Sequence, residues 1–260
     1  MPTFIGIDLA WRSDKNHSGG AVLRGDRRAV TLLRVAPDLC SLAEVEDFID
    51  SNSSADTVVA VDAPLVIGNH TGQRPCETEI SRRFGASHAG AHTSNLSLYP
   101  DAGSVRLARD LERLGFSHCP PEHRPTLGGK WFFEVYPHPA HVVLFRRQRI
   151  IKYKKGPIAA RRAGLGEFRH NLLHHLCGAQ PALTVNPTLQ ALLYQPLAEL
   201  RGSRLKHYED QLDALLCAYL AAHFWAWSYE RNQMIGTLEH GYIINPRAAD
   251  AQSPHVARGP

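Results

Sequence analysis

The stretch Phe4-Ile5-Gly6-Ile7-Asp8-Leu9-Ala10 constrains the fold most. It is a continuous apolar run broken by one carboxylate. Runs without polar alternation form strands buried on both faces, so the chain needs a sheet covered on each side. With 260 residues, 43% of them hydrophobic, it can bury such a core in one or two domains. Charged content of 21% and aromatic content of 8% fit a globular chain rather than a disordered one.

The following residues predict the rest of a layered sheet. Residues 13–20 are polar and end in glycine, which predicts a turn. Ala21 to Leu23 and Val30 to Val35 flank Arg24-Gly25-Asp26 and predict a hairpin. Ser41 with Glu44 has capping-box spacing, and Leu42, Val45, Phe48 and Ile49 recur at helical spacing. Thr57-Val58-Val59-Ala60-Val61-Asp62 predicts a fourth strand and Trp131-Phe132-Phe133-Glu134-Val135-Tyr136 a fifth. Helices are expected near 76–84, 104–114, 158–176, 187–200 and 206–229, and a short hairpin over 236–244. Residues 247–260 are small, polar and Pro/Gly-containing and predict a loose tail.

Several function classes drop out. No run of about 18 apolar residues exists, so no membrane span is expected. The start of the chain lacks the basic and apolar regions of a signal peptide, and Cys40, Cys76, Cys119, Cys177 and Cys217 form no Cys-x-x-Cys pair. A cytoplasmic location is expected. No Walker loop follows any strand, and Ser94, Ser97 and Ser104 lack a nucleophile elbow. His118, Cys119 and His123, with Cys76, His88 and His92, match no zinc spacing.

The chemistry is carried by carboxylates in apolar settings. Asp8 and Asp62 each end a buried strand, where a carboxylate is costly unless paired, solvated or bound to a cation. A turn-forming Asp just past the strand is the bland alternative. Glu134 poses the same question within its apolar strand, where exposure or an arginine partner would also account for it. Asp213 shares a helix face with Leu216, Cys217 and Leu220, so it points with the packing stripe. Glu209 and Asp210 fit a helix N-terminus. Gathered at one end of a sheet, Asp8, Asp62 and Asp213 would suit Mg²⁺ or Mn²⁺ as metal ligands. Such ions support phosphodiester cleavage.

The stretches Gly6-Ile7-Asp8-Leu9-Ala10-Trp11, Val61-Asp62-Ala63-Pro64-Leu65 and Arg74-Pro75-Cys76-Glu77 come first in a longer set. Glu134-Val135-Tyr136-Pro137-His138, Tyr153-Lys154-Lys155-Gly156, Asp210-Gln211-Leu212-Asp213-Ala214 and Cys217-Ala218-Tyr219 follow. In this order they resemble domain-of-unknown-function family 429, over roughly residues 4–246. Its members are regarded as predicted nucleases of ribonuclease H-like fold. The resemblance implies an α/β fold: a ribonuclease H-like mixed five-stranded sheet, its first three strands antiparallel, flanked by helices. A single domain over 1–246 would carry a helical insertion at about 66–130 and helical additions at about 138–205. In that fold acidic residues come from the first strand, the end of the fourth and the last core helix, the places of Asp8, Asp62 and Asp213. Glu134 belongs to the family's own motif and joins them as an expected catalytic residue. Arg74 and Glu77 form another family motif, with Glu where Asp is common.

Residues 146–169 hold Arg146, Arg147, Arg149, Lys152, Lys154, Lys155, Arg161, Arg162 and Arg169 against one acid, Glu167. This is an expected nucleic-acid track, with Tyr153 as a stacking surface, although a solvated helix face has the same pattern. Trp11 could stack on a ligand or pack beneath its loop. His138 and His141 could serve as base or ligand, although plain surface histidines are the favoured reading. The leading expectation is a metal-dependent nuclease. A non-catalytic nucleic-acid- or protein-binding module and an actin/sugar-kinase-like phosphotransferase are the alternatives.

Overall fold

A computed structural model of the chain describes residues 1–12, 16–118 and 129–247. Cys119, His123, part of the 13–20 turn and the expected tail beyond Arg247 lie outside the described residues. The strands are β1 (Thr3–Asp8), β2 (Ser18–Gly25), β3 (Ala29–Leu39), β4 (Thr57–Asp62), β5 (Ser117–His118), β6 (Lys130–Glu134), β7 (Ala182–Thr184), β8 (Asn232–Thr237) and β9 (Gly241–Pro246). The helices are α1 (Leu42–Asn52), α2 (Pro75–Phe84), α3 (Gly103–Arg113), α4 (Pro137–Leu144), α5 (Ile158–Asn171), α6 (Pro187–Leu193) and α7 (Gly202–Arg231).

Seven strands form one mixed sheet in the order β5-β6-β4-β1-β2-β3-β7. The five expected strands are its centre. β1, β2 and β3 are antiparallel in sequence, and β4 and β6 run parallel to β1. β5 and β7 are short additions at the two edges. β2 starts at Ser18, inside the expected turn, because it pairs with β1 as far as Asp8.

Side chains alternate along each strand and so separate two cores. Ile5, Ile7, Val59, Val61 and Phe132 pack with Val45, Phe48 and Ile49 of α1 and with Leu107 and Leu111 of α3. Phe4, Val58, Ala60 and Phe133 pack with α7 and with residues of α4, α5 and α6. Ser41 caps α1, its hydroxyl accepting from the Glu44 amide at 3.2 Å. The hairpin β8–β9 lies over α2 through Ile235 and Ile243, which meet Cys76 and Ile80.

α7 is the element that brings the site together. It is buried along most of its length, from Leu205 to Ala226, because sheet and helices cover opposite sides of it. It lies directly on β1 and β2 at two glycines. A Cβ at Gly6 would stand 2.0 Å from the Ala218 nitrogen and 2.1 Å from the Ala214 oxygen, and one at Gly19 would stand 2.4 Å from the Asp210 oxygen. Only glycine permits this backbone approach.

Candidate active site

The pleat decides which carboxylates meet. Asp8 shares the face of Phe4 and Gly6, and Asp62 that of Val58 and Ala60, both toward α7. Asp8 and Asp62 are partners in the parallel register of β1 and β4, at the carboxyl ends of both strands. Asp213 enters from α7, fully buried. Glu134 shares the face of Phe132, the opposite one.

Each partner of these acids is identifiable. The Tyr153 hydroxyl donates to Asp213 Oδ1 at 2.5 Å, and Lys154 Nζ lies 3.0 Å from Asp213 Oδ2. Both come from the segment between α4 and α5, which lies along α7. Burial pushes the Asp8 carboxyl above its ordinary pKa; Lys154 opposes this and Asp213 adds to it. Burial followed by the charge of Asp8 pushes Asp62 well above the ordinary carboxylate range. Burial alone would lower the Lys154 pKa, but Asp213, Tyr153, Asp8 and Asp62 together hold it well above normal. Asp210 hydrogen-bonds Asp8 and shares the ammonium of Lys206 with Glu209; burial and then the charge of Asp8 push the Asp210 carboxyl up to about 8.

Glu134 is otherwise engaged. Its two oxygens take Arg74 Nη2 at 2.6 Å and Nη1 at 2.9 Å, and one also accepts from the Leu65 amide at 3.0 Å. Arg74 Nε reaches Glu77 at 2.9 Å, and its Nη1 reaches the Val66 carbonyl at 2.9 Å. Glu77 also accepts from the Arg74 amide at 2.9 Å and from Ser94. Glu77 thereby closes a ring of contacts with Arg74 and Ser94.

A pocket of about 270 Å³ opens over the carboxylates. Asp8, Asp62, Glu134, Trp11, Arg74, His138 and Lys154, all expected site residues, line it. Asp213 sits behind them. Arg12, His92 and Tyr136 complete the rim and were not expected as site residues. Arg12 lies 5.0 Å from the Trp11 ring centre and 5.8 Å from that of Tyr99. Trp11 meets Tyr99 edge to face at 4.6 Å. The Tyr136 hydroxyl donates to the Gly90 carbonyl at 3.0 Å, so its oxygen accepts from His138 Nδ1 at 2.9 Å. That fixes the tautomer and leaves His138 Nε2 unprotonated. Burial, reinforced by Lys154, lowers the His138 pKa to about 4.

The basic stretch does not act as one surface. Arg161 reaches the Tyr153 carbonyl at 3.3 Å and Glu209 at 3.2 Å, and Arg162 donates to the Leu200 carbonyl at 2.8 Å. Arg169 holds the carbonyls of Leu193 and Gln195, and Arg147 pairs with Glu167. These side chains are struts between α5 and its neighbours. Lys152 and Lys155 remain exposed. Tyr153, expected as a stacking surface, is 1% exposed and has no free face for a base. His141 is buried among Phe145, Tyr153 and Phe168 rather than in the pocket.

Among the described residues, no group of three His, Cys, Asp or Glu side chains is placed to hold a metal ion. Asp8 and Asp62 supply the donor type that a single hard cation takes. They are oxygen donors, partly exposed to the pocket, and crowd each other's charge. Asp213 does not complete a group of three with them; Tyr153 hydrogen-bonds its Oδ1 and Lys154 pairs ionically with its Oδ2.

A profile of the family described as protein of unknown function (DUF429) matches residues 6–232. The chain belongs to DUF429. No curated protein and no solved structure matches it significantly. The matched span runs from just before Asp8 to the end of α7, so it includes every residue lining the pocket except Ile243. No helix among the described residues is long and apolar enough to cross a membrane.

Proposed function

We propose that this DUF429 chain is a metal-dependent nuclease that hydrolyses phosphodiester bonds of DNA or RNA in the Asp8–Asp62 pocket. The observation that carries the reading is the pairing of Asp8 with Asp62 on adjacent parallel strands, with Asp213 behind them. The strand order also agrees with the ribonuclease H-like arrangement that the sequence resemblance implies.

Asp8 and Asp62 would hold Mg²⁺ or Mn²⁺. Such a cation supplies positive charge against phosphate oxygens and lowers the pKa of a nearby water. The chain's own groups supply the rest. Lys154 and Arg12 present positive charge to a phosphodiester entering the pocket. The ring of Trp11, backed by Tyr99, offers an aromatic wall for a base or sugar. His138 Nε2 is an unprotonated acceptor that can take the proton of the attacking water. Hydrolysis joins the water oxygen to phosphorus and releases the departing sugar oxygen, which takes up a proton. Lys152 and Lys155 extend positive charge beyond the pocket along the strand.

A phosphotransferase reading finds no support in the turn after β1. There the Ala10 amide donates to the Ser18 hydroxyl at 3.0 Å instead of belonging to a glycine-rich phosphate loop.

The test is cleavage of end-labelled single- and double-stranded DNA and RNA by the full chain with Mg²⁺ or Mn²⁺. Asp8→Asn and Asp62→Asn are each expected to lower the rate by about 100-fold or more, the usual size of such electrostatic losses, with circular dichroism unchanged. Equal cleavage by both variants, or none by the parent chain on any of these substrates, contradicts the proposal.

A further inference from the structure

We infer that Lys154 is a resident cation that takes the place of a second divalent ion, so that the pocket binds one divalent ion and not two. This rests on the cation reading of Asp8 and Asp62.

The geometry carries the inference. Two-ion phosphodiesterases hold both ions roughly 3.5–4 Å apart with a shared set of carboxylates. Here the third carboxylate is contacted on both oxygens, by a hydrogen bond on one and an ion pair on the other. Asp213 Oδ1 takes the Tyr153 hydroxyl at 2.5 Å, and Oδ2 faces Lys154 Nζ at 3.0 Å. Consecutive residues thus close Asp213 from two sides. Lys154 also lines the pocket beside Asp8 and Asp62, with 31% of its side chain exposed. Its ammonium therefore faces both the buried aspartate and the space a substrate would enter.

An ammonium gives a compact positive charge with three donors and no exchange of ligands. It can meet a phosphate oxygen but cannot activate a water as a metal does. The site is thereby divided: Asp8 and Asp62 on the metal side, Lys154 on the phosphate side.

Counting Mn²⁺ ions tests this without relying on turnover. Mn²⁺ is titrated into the full-length chain, with the free ion followed by electron paramagnetic resonance and the stoichiometry checked by calorimetry. The parent chain is expected to bind one ion and Asp8→Asn none. Lys154→Met frees Asp213 and is expected to bind two. Lys154→Met combined with Asp213→Asn is expected to return to one. Lys154→Arg, which keeps the charge and guards against a misfolded Lys154→Met chain, is expected to stay at one. Two ions in the parent chain or in Lys154→Arg overturn the inference while leaving the cation site standing. One ion in a folded Lys154→Met chain also overturns it. No ion in the parent chain overturns the cation reading itself, and the inference with it.

Discussion

The carboxylates that look alike in the sequence have separate occupations in the fold. Asp8, Asp62 and Asp213 were legible because each interrupts an apolar pattern, which costs free energy unless something compensates. Glu134 interrupts one too, yet its side of the pleat sends it to Arg74 rather than to the cluster. Local sequence carries no signal for that difference, since it depends on the register between β4 and β6. Lys154 was legible only as one member of a basic stretch. That it turns inward while Lys152 and Lys155 stay outside follows from the packing of the 151–157 segment against α7. Arg74 and Glu134 are 2% and 3% exposed. Removing one partner of such a buried pair typically costs 3–5 kcal/mol. Glu134→Gln is therefore expected to lose about 3 kcal/mol of stability in urea unfolding, and a loss below about 1 kcal/mol would show that Glu77 alone satisfies Arg74.

Among the elements, those with enough residues to show a period were readable. β1, β4, β6, α1 and α7 were placed from apolar runs or helical spacing. β5 and β7 were not, because two or three residues cannot display a period. The close approach of α7 to β1 was equally hidden. Gly6 reads as one more small residue in a strand, but it sets how near Asp213 comes to Asp8. Gly6→Ala would drive a methyl group into the α7 backbone, with 2.0 Å to the Ala218 nitrogen. The expected cost is about 3 kcal/mol or more, at the upper end for overpacked cores. Mn²⁺ affinity should fall in the same variant, because α7 must shift. A fully stable Gly6→Ala chain with unchanged Mn²⁺ affinity would contradict this account of the helix–sheet contact.

Across the whole molecule, buried titratable groups stand well apart along α7. The carboxylate pocket lies at the carboxyl ends of β1 and β4. His223 lies farther along α7, two residues before the Trp225 that meets Phe4 of β1, 7% exposed and hydrogen-bonded to Asn232 at 2.8 Å. Burial, opposed by that hydrogen bond, lowers its pKa to about 4. A histidine with a depressed folded pKa stabilises fully above its unfolded pKa of roughly 6.5 and loses that contribution as pH falls toward 4. The parent chain's stability advantage over His223→Gln is therefore expected to shrink by roughly 2–3 kcal/mol between pH 7 and pH 4. A constant difference across that range would show that His223 does not titrate as its burial requires. The central claim, that Asp8 and Asp62 are a cation site and not merely two crowded acids, is tested most directly by anomalous diffraction from crystals soaked in Mn²⁺. The account predicts one peak coordinated by Asp8 and Asp62, with Lys154 still on Asp213. A pocket without a peak at millimolar Mn²⁺, or a peak away from both carboxylates, would contradict it.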